Sequence, residues 1–379
     1  MSFTNLFPNK DQFDTMNVNL AAIAKAIGAT SPLSSFKAAQ AIVRAGMGPD
    51  LIPPGTLLRT THATYGEVVW EVQRHNVEKH ATDENIPTMT MLARNVVVDA
   101  LQFDAAEAFY YCASALAAGT YCFTVPETIS NWAAGTYKFT LTSQVPAGGI
   151  LKISGNWGTA LTSLSVQSFA TRSTSTASQT VAITSGSDGT SLGTWGTELN
   201  HAHRIGYGSN NWKESAMRQF LNSEAAAGQV WTPQTKFDYM PSWFSNTAGF
   251  LAGFDDDFLD SLGVCALQNI ANSVYESPDS TTQVGARYET QDRIWLPSRK
   301  EIYGSSEGVG ENTEVYPLYD GVENAARVKY NNSGVYKAYW LRSPYASHAH
   351  LVRISYTGGS LNYSGAHDAA GVVPACIIA

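Results

Sequence analysis

The C-terminal stretch 339–379, YWLRSPYASHAHLVRISYTGGSLNYSGAHDAAGVVPACIIA, decides how this chain is interpreted. Two stiff ends, 340–344 (WLRSP) and 371–378 (GVVPACII), flank an interval of different composition. Of the 24 residues in 345–368, 14 are Tyr, Ser, Gly, His or Asn, and only two are Asp, Glu, Lys or Arg. Tyrosine offers a large rigid contact face, while Ser, Gly and Asn adapt their hydrogen bonds, so this mixture is typical of a binding surface.

A polar β-meander is the alternative interpretation of the same interval. Residues 351–354 (LVRI) have the character of a strand, and Gly358-Gly359 is a hairpin-turn signal. Tyrosine and serine are also common in strands and turns. Composition alone therefore leaves both interpretations open.

The pairing of 340–344 (WLRSP) with 371–375 (GVVPA) resembles the end of the variable proteins of diversity-generating retroelements. Those proteins have a C-type lectin fold of the formylglycine-generating-enzyme type. Their two ends are scaffold, and the residues between are varied by adenine-directed mutagenesis of the gene. Varied Asn-type codons yield Tyr, Ser, His, Asp, Asn, Ala, Gly, Thr, Leu and Ile, which make up most of 345–368.

Three upstream segments are similar to the same family and occur in its order. Residues 66–72 (GEVVWEV) resemble its first core strand, and 211–222 (NWKESAMRQFLN) resemble its helix with Trp, Arg and Leu-Asn. Residues 292–301 (DRIWLPSRKE) resemble its segment of Asp, apolar strand, Ser and Glu. The order of these motifs is a stronger signal than any one of them.

The resemblance implies two sets of residues at the C-terminal end. The predicted scaffold residues are Trp340, Arg342, Pro344, Gly371 and Pro374. The predicted ligand contacts are Tyr345, Ser347, His348, His350, Arg353, Tyr356, Asn362, Tyr363, His367 and Asp368. Among them, Arg353 supplies a planar fork for a carboxylate or an aromatic face.

The expected fold class is α+β, with three parts. A C-type lectin-like domain would comprise 55–118, including a helix over 105–118, together with 198–379. Residues 119–197 are rich in Thr, Ser and Gly, with strand-like runs separated by Gly-rich turns, and predict an inserted antiparallel β-sandwich of immunoglobulin-like type. Residues 1–48 form a predicted helical segment, separated from the rest by the Pro- and Gly-containing linker 48–55.

The first predicted helix, 9–28, has apolar residues at alternating spacings of 3 and 4. This pattern fits the seam of a short coiled coil and predicts an oligomer, expected to be a trimer. An amphipathic helix packed on its own domain is the alternative. The predicted oligomerisation residues are Phe13, Met16, Leu20, Ile23 and Ile27. A second helix is expected to begin at Ser31-Pro32 and to end at Gly46.

Composition excludes several classes of function. The net charge is −8, and no dense basic face exists for nucleic acid. No signal segment and no apolar run of about 20 residues is present, so we expect synthesis in a bacterial cytoplasm and no membrane insertion. The four cysteines form no Cys-x-x-Cys motif; Cys112 and Cys122 either pair under oxidising conditions or, as we favour, remain buried thiols.

Residues suited to metal binding or catalysis are few. The pairs His201/His203 and His348/His350 could share a metal on a strand, but no carboxylate or cysteine stands at a standard spacing. The run 255–257 (DDD) fits either calcium or a helix N-terminus. Formylglycine-generating enzymes need a reactive cysteine pair near their C-terminal end, whereas only Cys265 and Cys376 lie in that half here, and Cys376 stands within the scaffold run. We therefore predict no metal, no cofactor and no catalytic residue.

The leading hypothesis is a hypervariable ligand-binding protein of a bacteriophage virion tail. It would determine tropism by recognising a host-cell surface protein or glycan through its C-terminal surface, and would join other tail proteins through its N-terminus. The alternative is a structural virion or adhesin component that binds glycans through the inserted sandwich. An enzyme of the formylglycine type is the least favoured hypothesis.

Overall fold

The fold is mixed α+β and consists mostly of strands, which confirms the predicted class at that level. The computed structural model describes residues 35–105, 109–112, 114–125, 134–147, 150–154, 179–194, 210–232, 240–270, 287–307, 311, 313–345 and 351–379. The five α-helices within these ranges are α1 (Phe36–Arg44), α2 (Gly48–Leu51), α3 (Ala216–Leu221), α4 (Asp256–Leu259) and α5 (Arg299–Tyr303). None of the described helices is long and apolar enough to cross a membrane.

The strands form two five-stranded sheets and several smaller ones. In chain order they are β1 (Leu57–His62), β2 (Gly66–His75), β3 (Met89–Ala93), β4 (Val98–Gln102), β5 (Phe109–Tyr111), β6 (Gly119–Val125), β7 (Gly135–Leu141), β8 (Ile150–Ser154), β9 (Gln179–Ala182), β10 (Thr184–Ser185), β11 (Thr190–Thr194), β12 (Cys265–Ile270), β13 (Arg287–Asp292), β14 (Ile294–Trp295), β15 (Lys329–Tyr330), β16 (Tyr336–Lys337), β17 (Tyr339–Pro344), β18 (Leu351–Ser355), β19 (Leu361–Gly365), β20 (Ala369–Val372) and β21 (Ala375–Ile378).

The two large sheets are joined by the C-terminal run of the chain. The first sheet has the order β1-β2-β3-β21-β14, and all of its pairs are antiparallel. The second has the order β19-β18-β17-β20-β4, in which β17 and β20 are parallel. Strands β20 and β21 follow each other directly but enter different sheets. The core between them contains the fully buried Trp70, Trp212, Trp295 and Trp340.

Helix α1 packs on this same core. Its buried Phe36, Ile42 and Val43 belong to the main hydrophobic cluster, and the Phe36 ring meets Phe258 edge to face at 4.9 Å. Asp257 accepts hydrogen bonds from Ser35 Oγ at 2.8 Å and from the Phe36 backbone N–H at 2.7 Å. The predicted boundary near residue 48 therefore does not separate α1 from the core.

Two predictions about local structure are wrong. The chain over 109–111 is the strand β5 rather than part of a helix over 105–118, because its pairing with the distant β8 outweighs the local alanine content. The 119–197 region also contains two parallel pairs, β6 with β11 and β8 with β9, besides its antiparallel ones. A strand-like composition does not reveal which distant strand will be the partner.

Several predicted features lie outside the described residues. These are the whole helix 9–28 with Phe13, Met16, Leu20, Ile23 and Ile27. The second helix, predicted from Ser31-Pro32, begins instead at Phe36, because the extended Ser35 caps it by accepting a hydrogen bond from the Ala38 N–H. Strands β2, β14 and β18 lie where the sequence predicted them. The predicted helix 211–222 is present as a 3-10 turn, Trp212–Glu214, followed by α3.

Candidate functional site

A hairpin of β18 and β19 carries most of the described candidate contacts. Strand β18 also pairs with the buried strand β17, which ties the hairpin to the core. Val352 and Ile354 on β18 are buried. Because successive side chains alternate between faces, Arg353 points away from them, to the side where its cross-strand partner Tyr363 lies.

The turn of this hairpin is fixed by Gly359, which confirms the turn predicted by the β-meander interpretation. Gly359 has a positive φ of 76°, and an added Cβ would lie 1.8 Å from the carbonyl oxygen of Asn324. The Tyr303 hydroxyl lies 2.8 Å from the Gly359 carbonyl oxygen and 2.7 Å from Ser355 Oγ. Burial raises the pKa of Tyr303 to about 12, so this hydroxyl stays protonated. Beside this rigid turn, Tyr356 is 48% exposed.

Arg353, Tyr345 and Tyr363 form one stack. The Arg353 guanidinium carbon lies 4.1 Å from the centroid of the Tyr345 ring. The Tyr345 and Tyr363 rings are 4.6 Å apart with an angle of 17° between their planes. Tyr363 remains 46% exposed, so the stack ends at solvent.

The buried carboxylate of Glu307 orients the Arg353 guanidinium of this stack. It accepts a hydrogen bond from Arg353 Nε and another from Arg299 Nη1 at 2.6 Å. Only 5% of the Glu307 side chain is exposed. A planar guanidinium held by both a carboxylate and an aromatic ring loses most of its rotational freedom, so Arg353 is presented in one orientation. We define Tyr345, Arg353, Tyr356, Asn362 and Tyr363 as the hairpin surface.

The side chains of two other predicted contacts, Asn362 and Asp368, accept hydrogen bonds from nearby backbone N–H groups. The Tyr363 N–H donates to Asn362 Oδ1 at 2.9 Å, and the Gly365 N–H donates to Asp368 Oδ2 at 2.9 Å. Strand β19 stands at the edge of its sheet. Side chains that occupy edge N–H groups discourage another strand from pairing there. Asn362 and Asp368 therefore protect this edge, whatever else they contact.

His367 lies at the base of the hairpin rather than on its exposed part. Burial lowers its pKa, although the Asp368 carboxylate opposes that shift. Gln102 Nε2 donates to the His367 carbonyl oxygen at 2.7 Å. The imidazole is therefore mostly neutral near neutral pH. The remaining predicted contacts, Ser347, His348 and His350, lie outside the described residues.

The residues before the interval are buried in β17. Trp340 is fully buried, packs 5.7 Å from Phe103 and donates from Nε1 to the Leu101 carbonyl oxygen at 2.8 Å. Arg342 holds Glu301 with two hydrogen bonds, Nη1 to Oε2 at 2.7 Å and Nη2 to Oε1 at 2.8 Å. Burial alone would raise the pKa of Glu301, but Arg342 holds it below its ordinary value. Pro344 is also buried and lies opposite Val352.

Glu311 adds a second buried carboxyl beside β17. It accepts hydrogen bonds from Ser343 Oγ and, at 3.1 Å, from the Lys300 backbone N–H. Burial raises the pKa of Glu311 to about 7, against the opposing effect of Arg342. The group therefore changes its charge near neutral pH.

The residues after the interval are equally enclosed. Gly371 donates its N–H to the Ala338 carbonyl oxygen at 2.8 Å, and an added Cβ would lie 2.7 Å from Val96 Cγ1. The buried Pro374 accepts a hydrogen bond at its carbonyl oxygen from the Ala93 N–H at 2.8 Å. We define β17 together with 371–375 as the frame.

The upstream motifs meet one another through buried polar contacts. Trp212 Nε1 donates to Asp292 Oδ2 at 3.0 Å, and Arg218 Nε donates to Asp292 Oδ1 at 2.6 Å. These bonds join 211–222 to 292–301, and the Arg342–Glu301 pair joins 292–301 to the frame. Motifs far apart in sequence therefore form one contiguous structure.

Sequence reasoning missed Arg299, Tyr303 and Glu307, which support the hairpin surface. Arg299 lies within the motif 292–301, and Tyr303 and Glu307 lie two and six residues after it. The signal that could have indicated these residues is the presence of charged and hydroxyl side chains, suited to pair with Arg353, in this polar stretch.

Other chemistry-bearing groups have structural explanations. Asp255 caps α4 by accepting a hydrogen bond from the Phe258 N–H at 3.0 Å, which confirms the predicted helix N-terminus. All four cysteines are free and buried, as favoured. Burial raises the pKa of Cys265 and Cys376, which makes them poor nucleophiles. Within the described residues no group of three His, Cys, Asp or Glu side chains could hold a metal ion. A cavity of about 550 Å³ lies away from the hairpin surface. Its lining includes Arg74 and Glu78, which form an ion pair.

Comparison with known proteins identifies a family. The family model DUF6273, described as a domain of unknown function, matches residues 165–379, which is more than half of the chain. The chain belongs to this family. No curated protein and no solved structure matches it.

Proposed function

For this member of the DUF6273 family, we propose a hypervariable ligand-binding protein without enzymatic activity. In this proposal it is the variable protein of a diversity-generating retroelement and serves as the receptor-binding protein of a bacteriophage tail. It recognises a host-cell surface ligand through the hairpin surface. Its fold is C-type lectin-like, with 119–197 as an inserted module.

The observation that carries this proposal is the contrast between the frame and the interval it flanks. All six residues of β17 are buried, and so are 371–375. Between these segments, Tyr356, Asn362 and Tyr363 are exposed. A sequence can vary at such positions at little cost to stability, because surface substitutions usually change the free energy of unfolding by less than about 0.5 kcal/mol.

The contacts among the motifs support the proposed fold. The resemblance rests on 211–222, 292–301 and 340–344, and these segments are linked by the Arg218–Asp292 and Arg342–Glu301 ion pairs. Residues that meet in a buried network constrain one another, so a change in one disturbs the contacts of the others. This is what a shared scaffold beneath a variable surface requires.

Binding itself needs no chemistry beyond contact. Tyr356 and Tyr363 offer rigid aromatic area, and Arg353 offers a fixed fork for hydrogen bonds. A homotrimer formed through the predicted helix 9–28 would present three such surfaces. Simultaneous engagement of linked sites raises the overall affinity by about 10² to 10⁴ over that of one site.

Sequencing of this gene across a population of the same genetic element tests the proposal. The expected result is substitutions concentrated at adenine-encoded positions of 345–368, with an adenine-rich near-copy of that segment beside a reverse transcriptase gene. Substitutions spread evenly along the chain, or concentrated in 119–197, would contradict it and favour a binding role for the inserted module.

A further inference from the structure

The strongest unassigned feature of the hairpin surface is an unbalanced positive charge. Arg299 and Arg353 both form ion pairs with the carboxylate of Glu307, so these three side chains together carry a net charge of +1 in the described part of the chain. The Arg353 side chain is only 13% exposed. A charge held in a mostly buried side chain is weakly screened, so it acts strongly on a ligand that approaches it.

Arg353 also keeps hydrogen-bonding capacity for a ligand. Its Nε binds Glu307, while its two Nη groups make no hydrogen bond to any residue in the described part of the chain. The Glu307 contact and the Tyr345 ring fix the plane of the guanidinium. Two Nη groups in a fixed plane match the two oxygens of a carboxylate, the geometry of the strongest charge-assisted pairs.

We propose that Arg353 is the anchor of the hairpin surface and pairs with an Asp or Glu side chain on a protein ligand. This inference rests on the proposed function, and it names the ligand's class. Tyr363 covers the ligand around that pair and excludes water. The affinity of the surface then depends on one carboxylate, while the other positions tune specificity.

The shape of the surface favours a protein over a glycan. Arg353 and Tyr363 both pack on the Tyr345 ring, which leaves this ring less available to stack on a sugar. The cavities of about 550 and 470 Å³ are lined by other residues. Small ligands prefer concave sites, whereas Tyr and Arg are typical anchors of protein interfaces.

Binding of labelled polymers to the full chain at low salt tests the anchor. The probes are poly-L-glutamate for protein carboxylates, hyaluronan for glycan carboxylates and dextran as the neutral control. The variants are Arg353→Gln, Arg353→Lys, Tyr363→Ala and the matched control Lys79→Gln, which removes one exposed positive charge elsewhere. Thermal melting verifies that each variant is folded, and Arg353→Lys keeps the charge if Arg353→Gln unfolds.

We expect poly-L-glutamate to bind the wild type more tightly than hyaluronan or dextran. Arg353→Gln should weaken this binding at least about tenfold, Arg353→Lys less, and Lys79→Gln by less than about twofold. Equal binding of wild type and Arg353→Gln, tighter binding of hyaluronan, or no binding of either polyanion would overturn the inference. If Tyr363→Ala weakens poly-L-glutamate binding while Arg353→Gln does not, the role of Arg353 as anchor is contradicted, but the hairpin surface still binds. If neither variant weakens the binding, the proposed function of the hairpin surface is contradicted as well.

Discussion

Strands β17 and β19 belong to the same sheet, but β17 is completely buried whereas β19 exposes side chains to solvent. Strand β17 stands in the middle of the order β19-β18-β17-β20-β4, and all six of its residues are buried. Strand β19 stands at the edge and exposes Asn362 and Tyr363. The two strands are separated by only β18. A stable fold and a changeable surface can therefore lie two strands apart, because position within the sheet decides which residues the core depends on.

The difference also concerns the kind of polar contact each strand makes. Arg342 on β17 pairs with Glu301, which lies 41 residues earlier, and both are almost fully buried. On β19, Asn362 and Asp368 bind neighbouring backbone N–H groups. Long-range buried contacts fix the fold, whereas local contacts of the second kind can be replaced without moving other parts of the chain.

The largest effect is expected for Trp340→Ala in β17. Removing a fully buried indole leaves a cavity next to Phe103 and the Leu101 carbonyl group. Such deletions lower the free energy of unfolding by about 3–5 kcal/mol. Urea denaturation of the variant and of the wild type measures this loss. A loss below about 1 kcal/mol would show that Trp340 is not one of the residues that stabilise the frame.

A somewhat smaller effect is expected for Glu301→Gln, which leaves the buried Arg342 without its counter-charge. Breaking one side of a buried ion pair costs about 3 kcal/mol or more. Glu289→Gln is the matched control, since Glu289 is exposed and bonds only to Gln268 in the described region. Equal stability of the two variants would show that the Arg342–Glu301 pair is not needed by the frame.

The raised pKa of Glu311 predicts how the free energy of unfolding depends on pH. In the folded protein it keeps its proton up to about pH 7, whereas its ordinary pKa is 4.5. Between these values the folded state binds more protons than the unfolded state, so this group makes stability fall as pH rises through that window. The full effect is on the order of 3 kcal/mol.

Glu311→Gln tests this dependence because glutamine stays neutral. Relative to the wild type, the variant should gain stability between about pH 5 and about pH 8 in parallel urea titrations. A difference between the two proteins that does not change with pH would mean that Glu311 titrates at its ordinary pKa, and that β17 is less enclosed than described.

The smallest effect on stability is expected at the hairpin surface. Tyr356→Ala and Tyr363→Ala should each change the free energy of unfolding by less than about 1 kcal/mol, because half of each side chain is already in solvent. Once a ligand is known, each should weaken its binding by about 2 kcal/mol. A loss of stability comparable to that of Trp340→Ala would assign these tyrosines to the core instead.

The sequence predicted the frame through its resemblance to a family scaffold, and it predicted the hairpin because the signals for the strand and the turn are local. Gly358-Gly359 predicted the turn between β18 and β19, and the apolar runs predicted β2, β14 and β18. Strand β5 was predicted as helix because its alanine-rich surroundings favour helix, and only its distant partner β8 makes it a strand. The parallel pairs in 119–197 were missed for the same reason.

The supporting contacts of the candidate site were beyond local reasoning. Glu307 gains its role from Arg299 and Arg353, and the latter lies 46 residues away. Asn362 and Asp368 were predicted as ligand contacts from their residue type, yet their side chains cap the edge of β19. Composition marked the interval 345–368, but it gave no information on which of its side chains accept hydrogen bonds from the backbone.

A saturation library over 339–379, displayed on cells and sorted for correctly folded protein alone, tests the central claim most directly. The account predicts that Trp340, Arg342, Gly371 and Pro374 tolerate few substitutions, whereas Tyr356 and Tyr363 accept nearly any residue. Similar intolerance in both groups would contradict the separation of a fixed frame from a variable surface.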